Sequence, residues 1–135
     1  MQIEVHFPGG KRVDAKADGF TIQTDQPVAA GGEGSAPEPF TLFLASLATC
    51  AGIYVVGYCQ ARGLDPSRIR IFQRSDKDPK TGRLAHVELA VHVPADFPAE
   101  HRDAVARAAA VCKVKKTLQD PPSFDVITRV DEAAA

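Results

Sequence analysis

Residues 40–62, FTLFLASLATCAGIYVVGYCQAR, decide the fold. Leu42, Phe43, Leu44, Leu47, Ile53, Val55 and Val56 fall nearly all the way round a 3.6-residue repeat, and Gly63 follows as a stop. A helix is predicted from about Phe40 to Arg62. A helix apolar on every side is central and enclosed, in so short a chain with help from a partner subunit. The small residues Ala45, Ser46, Ala48, Ala51 and Gly52 permit close approach of neighbours. The apolar core, Phe40 to Cys59, is about long enough to span a membrane. Its alanine, threonine and serine content and the absence of a basic loop bias favour a buried helix instead.

Working outward, Gln2–Phe7 alternates, with Ile3, Val5 and Phe7 on one face. After Pro8-Gly9-Gly10, Val13, Ala15 and Ala17 alternate with Arg12, Asp14, Lys16 and Asp18. Phe20–Thr24 reads as a third strand, so the first quarter is a meander. Residues 28–39 form a loop rich in glycine and proline. It is not a phosphate loop, since no Gly-Lys-Ser/Thr follows, and not a dinucleotide fingerprint. Beyond the helix, Ile69–Arg74 and Leu84–Val93 form a hairpin, with Val87, Leu89, Val91 and Val93 inward and His86, Glu88 and His92 outward. A second helix is predicted over Pro98–Leu118, stopped by Pro121-Pro122. Phe124–Val130 reads as a closing strand and Asp131–Ala135 as a frayed tail. Strands and helices are segregated, which is α+β.

A chain of 135 residues is one domain, 1–135, able to bury a core without staples. A 44% hydrophobic and 24% charged composition is that of an ordinary globular protein. With a net charge of −1, nothing electrostatic recommends nucleic acid or an anionic membrane as partner. Met-Gln-Ile-Glu-Val-His-Phe does not read as a signal peptide, so the expected compartment is the cytoplasm, where cysteines rest as thiols.

The chemistry rests on Cys50 and Cys112. Cys50 and Cys59 lie nine residues apart on one helix, on opposite faces and roughly 13 Å apart along the axis, so they cannot pair within a subunit. Cys50 and Cys112 sit on different helices, and packing can bring them together. Lys115 and Lys116 follow Cys112 by three and four residues, giving it local cations that favour a thiolate. Cys50 has uncharged sequence neighbours, so a cation that activates it must come from another segment or subunit. Free cysteines commonly pack as small hydrophobes, and Cys59 is read that way. The histidines do not assemble a metal site: His86 and His92 are roughly 20 Å apart along one strand, and no Cys-x-x-Cys pair occurs. Ser46 and Ser75 lack a nucleophile elbow. The Lys113-Val-Lys-Lys116 run suits a solvated helix end.

Pro39-Phe-Thr-Leu-Phe-Leu-Ala-Ser-Leu-Ala-Thr-Cys50, with Ala-Arg-Gly63 at the helix end, resembles the central helix of the OsmC/Ohr family, the osmotically inducible and organic hydroperoxide resistance proteins. Cys112-Lys-Val-Lys-Lys-Thr-Leu118 resembles that family's second cysteine motif, 62 residues on. The resemblance implies an OsmC-like fold over the whole chain. It implies an intertwined homodimer with two sites at the interface, the N-terminal strands of one subunit packing on the other. It implies a peroxidase of the oxidative stress response, acting on organic hydroperoxides without metal or organic cofactor. Cys50 would attack the peroxide and become a sulfenic acid, Cys112 would resolve it as a disulfide, and a dithiol reductant would reopen the bond. Many relatives carry a glutamate just after the proline that opens the helix; here Phe40 and Thr41 follow Pro39, and Glu38 precedes it. Arg12 is the candidate for the family's activating arginine. These departures place the chain nearer the OsmC-like branch. The competing expectation is a binding protein on the same fold, both cysteines inert, holding an apolar small molecule at the dimer interface. A purely structural dimeric module is a third.

Overall fold

A computed structural model describes residues 1–131; the remainder of the expected tail lies outside the described residues. Three antiparallel strands, β1 (Glu4–Gly9), β2 (Arg12–Ala17) and β3 (Phe20–Ile22), form the meander in that order. Ala17 pairs with Phe20 across the two-residue turn Asp18-Gly19, whose φ angles of 49° and 83° are both positive. That is the mirror-image hairpin turn, and Asp-Gly is the pair that tolerates it. Asp14 belongs to the charged half of that alternation, yet the fold does not leave it at the surface. It is buried and accepts a hydrogen bond from the Thr24 backbone N–H at 3.4 Å. Ile3, Val5, Phe7, Phe20 and Ile22 remain exposed on the single chain.

The loop between meander and helix closes around Asp25. Its buried carboxylate accepts from the N–H groups of Gln26 (2.7 Å), Glu33 (3.3 Å) and Ser35 (3.0 Å) and from the Ser35 hydroxyl (2.7 Å). The Ser35 bonds above all hold this carboxyl at about 2, below the usual carboxylate range. The turn needs Gly32, because a Cβ there would stand 1.9 Å from the Gln26 carbonyl oxygen.

Helix α1 spans Pro39–Gln60, with proline in its first turn, where no N–H is required. It ends in a Schellman motif: Gly63 is left-handed at φ 65°, and the Leu64 N–H donates to Cys59 O at 2.9 Å. Leu47, Ala51, Val55 and Cys59, spaced by four, form its buried face, while Ile53 is 66% exposed. Within one chain the helix is therefore half-covered and not enclosed. Strands β4 (Arg70–Lys77) and β5 (Leu84–His92) form the hairpin, from Arg70 opposite His92 to Lys77 opposite Leu84. As predicted, Leu89 and Val91 face the core and His86, Glu88 and His92 face out.

The second helix differs from the single one predicted. It runs as α2 (Ala99–Ala110), breaks at Val111-Cys112, and restarts as α3 (Lys113–Gln119). The break turns Cys112 inward, fully buried, where its sulfur accepts the Lys115 N–H at 3.3 Å and caps α3. The core lies where Ala51, Val55 and Cys59 of α1 meet Val105 and Ala109 of α2, closed by Phe97 and by Ile71, Leu89 and Val91 of the hairpin. The predicted closing strand, 124–130, is not paired within the chain: Phe124 is 83% and Val126 97% exposed. Its alternation is that of a strand, but a strand forms only against a neighbouring edge.

Candidate active site

Cys50 sits at mid-length on α1, half-buried, and Cys112 comes to it at the α2–α3 junction. The Cys112 thiol points at Leu47 O, 3.8 Å away and less than one helical turn before Cys50. The Cys112 thiol is also near enough to Cys50 to help lower the Cys50 thiol. The structure thus brings together the two thiols that sequence placed on separate helices.

The Cys50 thiol is acidified. The backbone N–H of Val114 contributes most; burial opposes it; the Cys112 thiol, the Lys113 N–H and the Lys113 charge add to the lowering. The cation expected from another segment is therefore largely replaced by backbone N–H groups at the start of α3. Lys113 acts on Cys50, whereas Lys115 and Lys116 were expected to serve Cys112. Arg12 is not among the groups acting on Cys50; its Nε donates to Gly9 O at 3.4 Å, within the β1–β2 turn. Nothing in sequence marked Val114, since its contribution is a backbone donor that every residue but proline carries.

Cys59 is fully buried in the core, and burial pushes its thiol up. A packed, protonated thiol is a poor nucleophile. Among the described residues, no cluster of three or more His, Cys, Asp or Glu side chains has metal-holding geometry. His101 instead bonds the Tyr58 hydroxyl through Nδ1 at 2.7 Å. Near Cys50 on α1, Leu47 is buried, the Phe43 ring lies 5.4 Å from that of Phe40, and Tyr54 borders a groove further along the helix.

A β-meander, a long helix bearing one thiol and a helix break bearing a second define a two-cysteine α+β domain. The OsmC-like protein family model matches residues 32–127, and the chain belongs to that family. Its fold is that of a candidate osmotic stress induced and detoxification response protein from Psychrobacter arcticus 273-4, at TM-score 0.74 and 22% identity over 87% of each chain. The OsmC-like protein from Mycoplasma pneumoniae matches at TM-score 0.69 and 16% identity, over 89% of this chain and 87% of that one. The organic hydroperoxide resistance protein OsmC from Legionella pneumophila matches at TM-score 0.61 and 21% identity, over 87% and 88%. At these identities the likeness is one of fold. A comparison with functionally curated proteins finds no match.

Proposed function

We propose that this protein is a thiol peroxidase that reduces organic hydroperoxides. The observation that carries the reading is the acidified, half-buried Cys50 thiol set against the buried Cys112 thiol. The Cys50 thiolate attacks the distal peroxide oxygen. The O–O bond breaks, the alkoxide leaves as an alcohol after taking a proton, and Cys50 is oxidised to the sulfenic acid. The Cys112 thiol then attacks that sulfur, water leaves, and a Cys50–Cys112 disulfide remains. An external dithiol reductant, itself oxidised to a disulfide, returns both thiols. Membership of a family that includes organic hydroperoxide resistance proteins supports this substrate class. A reducing compartment such as the cytoplasm would keep both thiols ready between turnovers.

The working form is proposed to be a homodimer. Ile3, Val5 and Phe7 of β1, Ile53 of α1 and the unpaired segment 124–130 leave apolar surface and strand edges uncovered on a single chain, and a second copy would cover them. The direct test counts free thiols before and after one equivalent of an organic hydroperoxide and maps any new bond by peptide mass. Rapid loss of two thiols to a Cys50–Cys112 bond is the expected result. Three unchanged thiols would overturn the proposal.

A further inference from the structure

The β4–β5 hairpin has two faces. Ile71, Leu89 and Val91 pack against the core, so Arg70, Phe72 and Arg74 of β4 and Glu88, Ala90 and His92 of β5 lie on the opposite, outer face. The register sets Arg70 opposite His92, Phe72 opposite Ala90 and Arg74 opposite Glu88. None of these six residues belongs to the surface assigned to the second copy.

Phe72 is a large aromatic side chain left 47% exposed on that outer face. Its ring is held from two sides. The His92 ring stands edge-on to it, with centroids 4.8 Å apart at 72°, and the Arg70 guanidinium carbon lies 5.7 Å from its centroid. Directly across the strand pair, Ala90 offers only a methyl group, and a cup of about 390 Å³ opens there, bordered by Phe72, Arg74, Glu88 and His92. Small-molecule sites begin at roughly 300 Å³.

The charge around the cup is not cancelled within the chain. Among the described residues neither Arg70 nor Arg74 forms an ion pair, although Glu88 stands opposite Arg74. Two guanidiniums flank the exposed ring and one carboxylate opposes them. A guanidinium presents its N–H donors in a fork that matches a carboxylate. Glu88 repels a doubly charged anion more than a singly charged one. An exposed ring over a small-residue floor, beside an unpaired guanidinium, is complementary to a flat ring bearing one carboxylate. We propose that the outer face of the β4–β5 hairpin binds an aromatic carboxylate, its ring laid over Ala90 against Phe72 and its carboxylate on Arg74. The site shares no residue with the thiol pair and does not depend on its oxidation.

The test is an NMR titration of the reduced full chain with naphthoate and, separately, with its neutral counterpart naphthylmethanol. Both are expected to shift the backbone amides of the hairpin saturably, with naphthoate bound about threefold more tightly, the scale of a charge pair at an exposed site. Arg74→Gln should lose that preference with naphthylmethanol affinity unchanged. Glu88→Gln should tighten naphthoate alone. Ala90→Leu fills the cup while keeping Phe72 and both guanidiniums, and should abolish binding of both probes. No saturable shift of the hairpin amides, equal wild-type affinity for the two probes, or undiminished binding by folded Ala90→Leu would overturn the proposal. No peroxide is present, so a failure of the thiol chemistry would leave this result untouched.

Discussion

The thiol of Cys112 points at the backbone carbonyl of Leu47, 3.8 Å away across 65 residues of sequence. That contact pins the α2–α3 junction to α1, and α3 then starts with the Val114 and Lys113 N–H groups turned to Cys50. The nucleophile and the residue proposed to resolve it are thus held by one joint.

Cys112→Ala is expected to remove the cap of α3, at about 1 kcal/mol of stability, and to raise the Cys50 thiol toward the ordinary 9.0. Cys112→Ser should retain a cap, because a hydroxyl also accepts the Lys115 N–H. Ultraviolet titration of thiolate absorbance in both variants separates the cap from the sulfur. An unmoved Cys50 titration in Cys112→Ala would contradict the assignment.

Cys50→Ser should abolish consumption of organic hydroperoxide while changing unfolding free energy by about 0.5 kcal/mol or less, as a small substitution of a half-buried residue. Peroxide assays and urea unfolding on the same preparation check both parts. In Cys112→Ser, peroxide should leave a sulfenic acid on Cys50 that a sulfenic-acid-selective reagent traps.

The reaction of Cys50 with a neutral alkylating reagent should rise with pH and level off below the ordinary thiol value of 9.0, because the lowered group is already thiolate there. Cys59, raised by burial, should react slowly over the same range. Peptide mapping after timed alkylation reads both. Faster labelling of Cys59 than of Cys50 would contradict the site.

Asp25 ties stability to acid. Its carboxyl lies at about 2 in the fold against 3.8 unperturbed, so the stability it contributes is fully present above about 3.8 and is lost as pH falls toward about 2. Asp25→Asn should flatten that part of the stability–pH curve, measured by thermal unfolding at stepped pH. Gly32→Ala should open the same loop, since its Cβ would meet the Gln26 carbonyl; limited proteolysis reports the opening.

Phe97→Ala is expected to cost about 3–5 kcal/mol, because the ring is nearly buried and closes the core between α1 and α2. Chemical denaturation measures the loss.

Sequence made the central helix legible because Leu47, Val55 and their neighbours repeat at the helical period, and Gly63 marks its end. The meander and hairpin were legible from alternation. The break at Val111-Cys112 was not: no glycine or proline marks it, and the cap that permits it is a thiol. Both cysteines of the candidate site were legible by residue type. Their activation was not, because it comes from backbone donors of Val114 and Lys113 presented by a helix start that sequence did not predict. The burial of Asp14 and Asp25 was not legible, since their partners at Thr24, Glu33 and Ser35 stand eight to ten residues away. Segment 124–130 alternates like a strand, yet pairing is a property of the edge beside it.

Cys112 begins a helix with the same sulfur that would close a bond to Cys50. Reduced, that atom donates toward Leu47 and accepts from Lys115; bonded, it would have no proton left for Leu47. The oxidation state of one atom pair would therefore be felt at the junction where α3 meets α1.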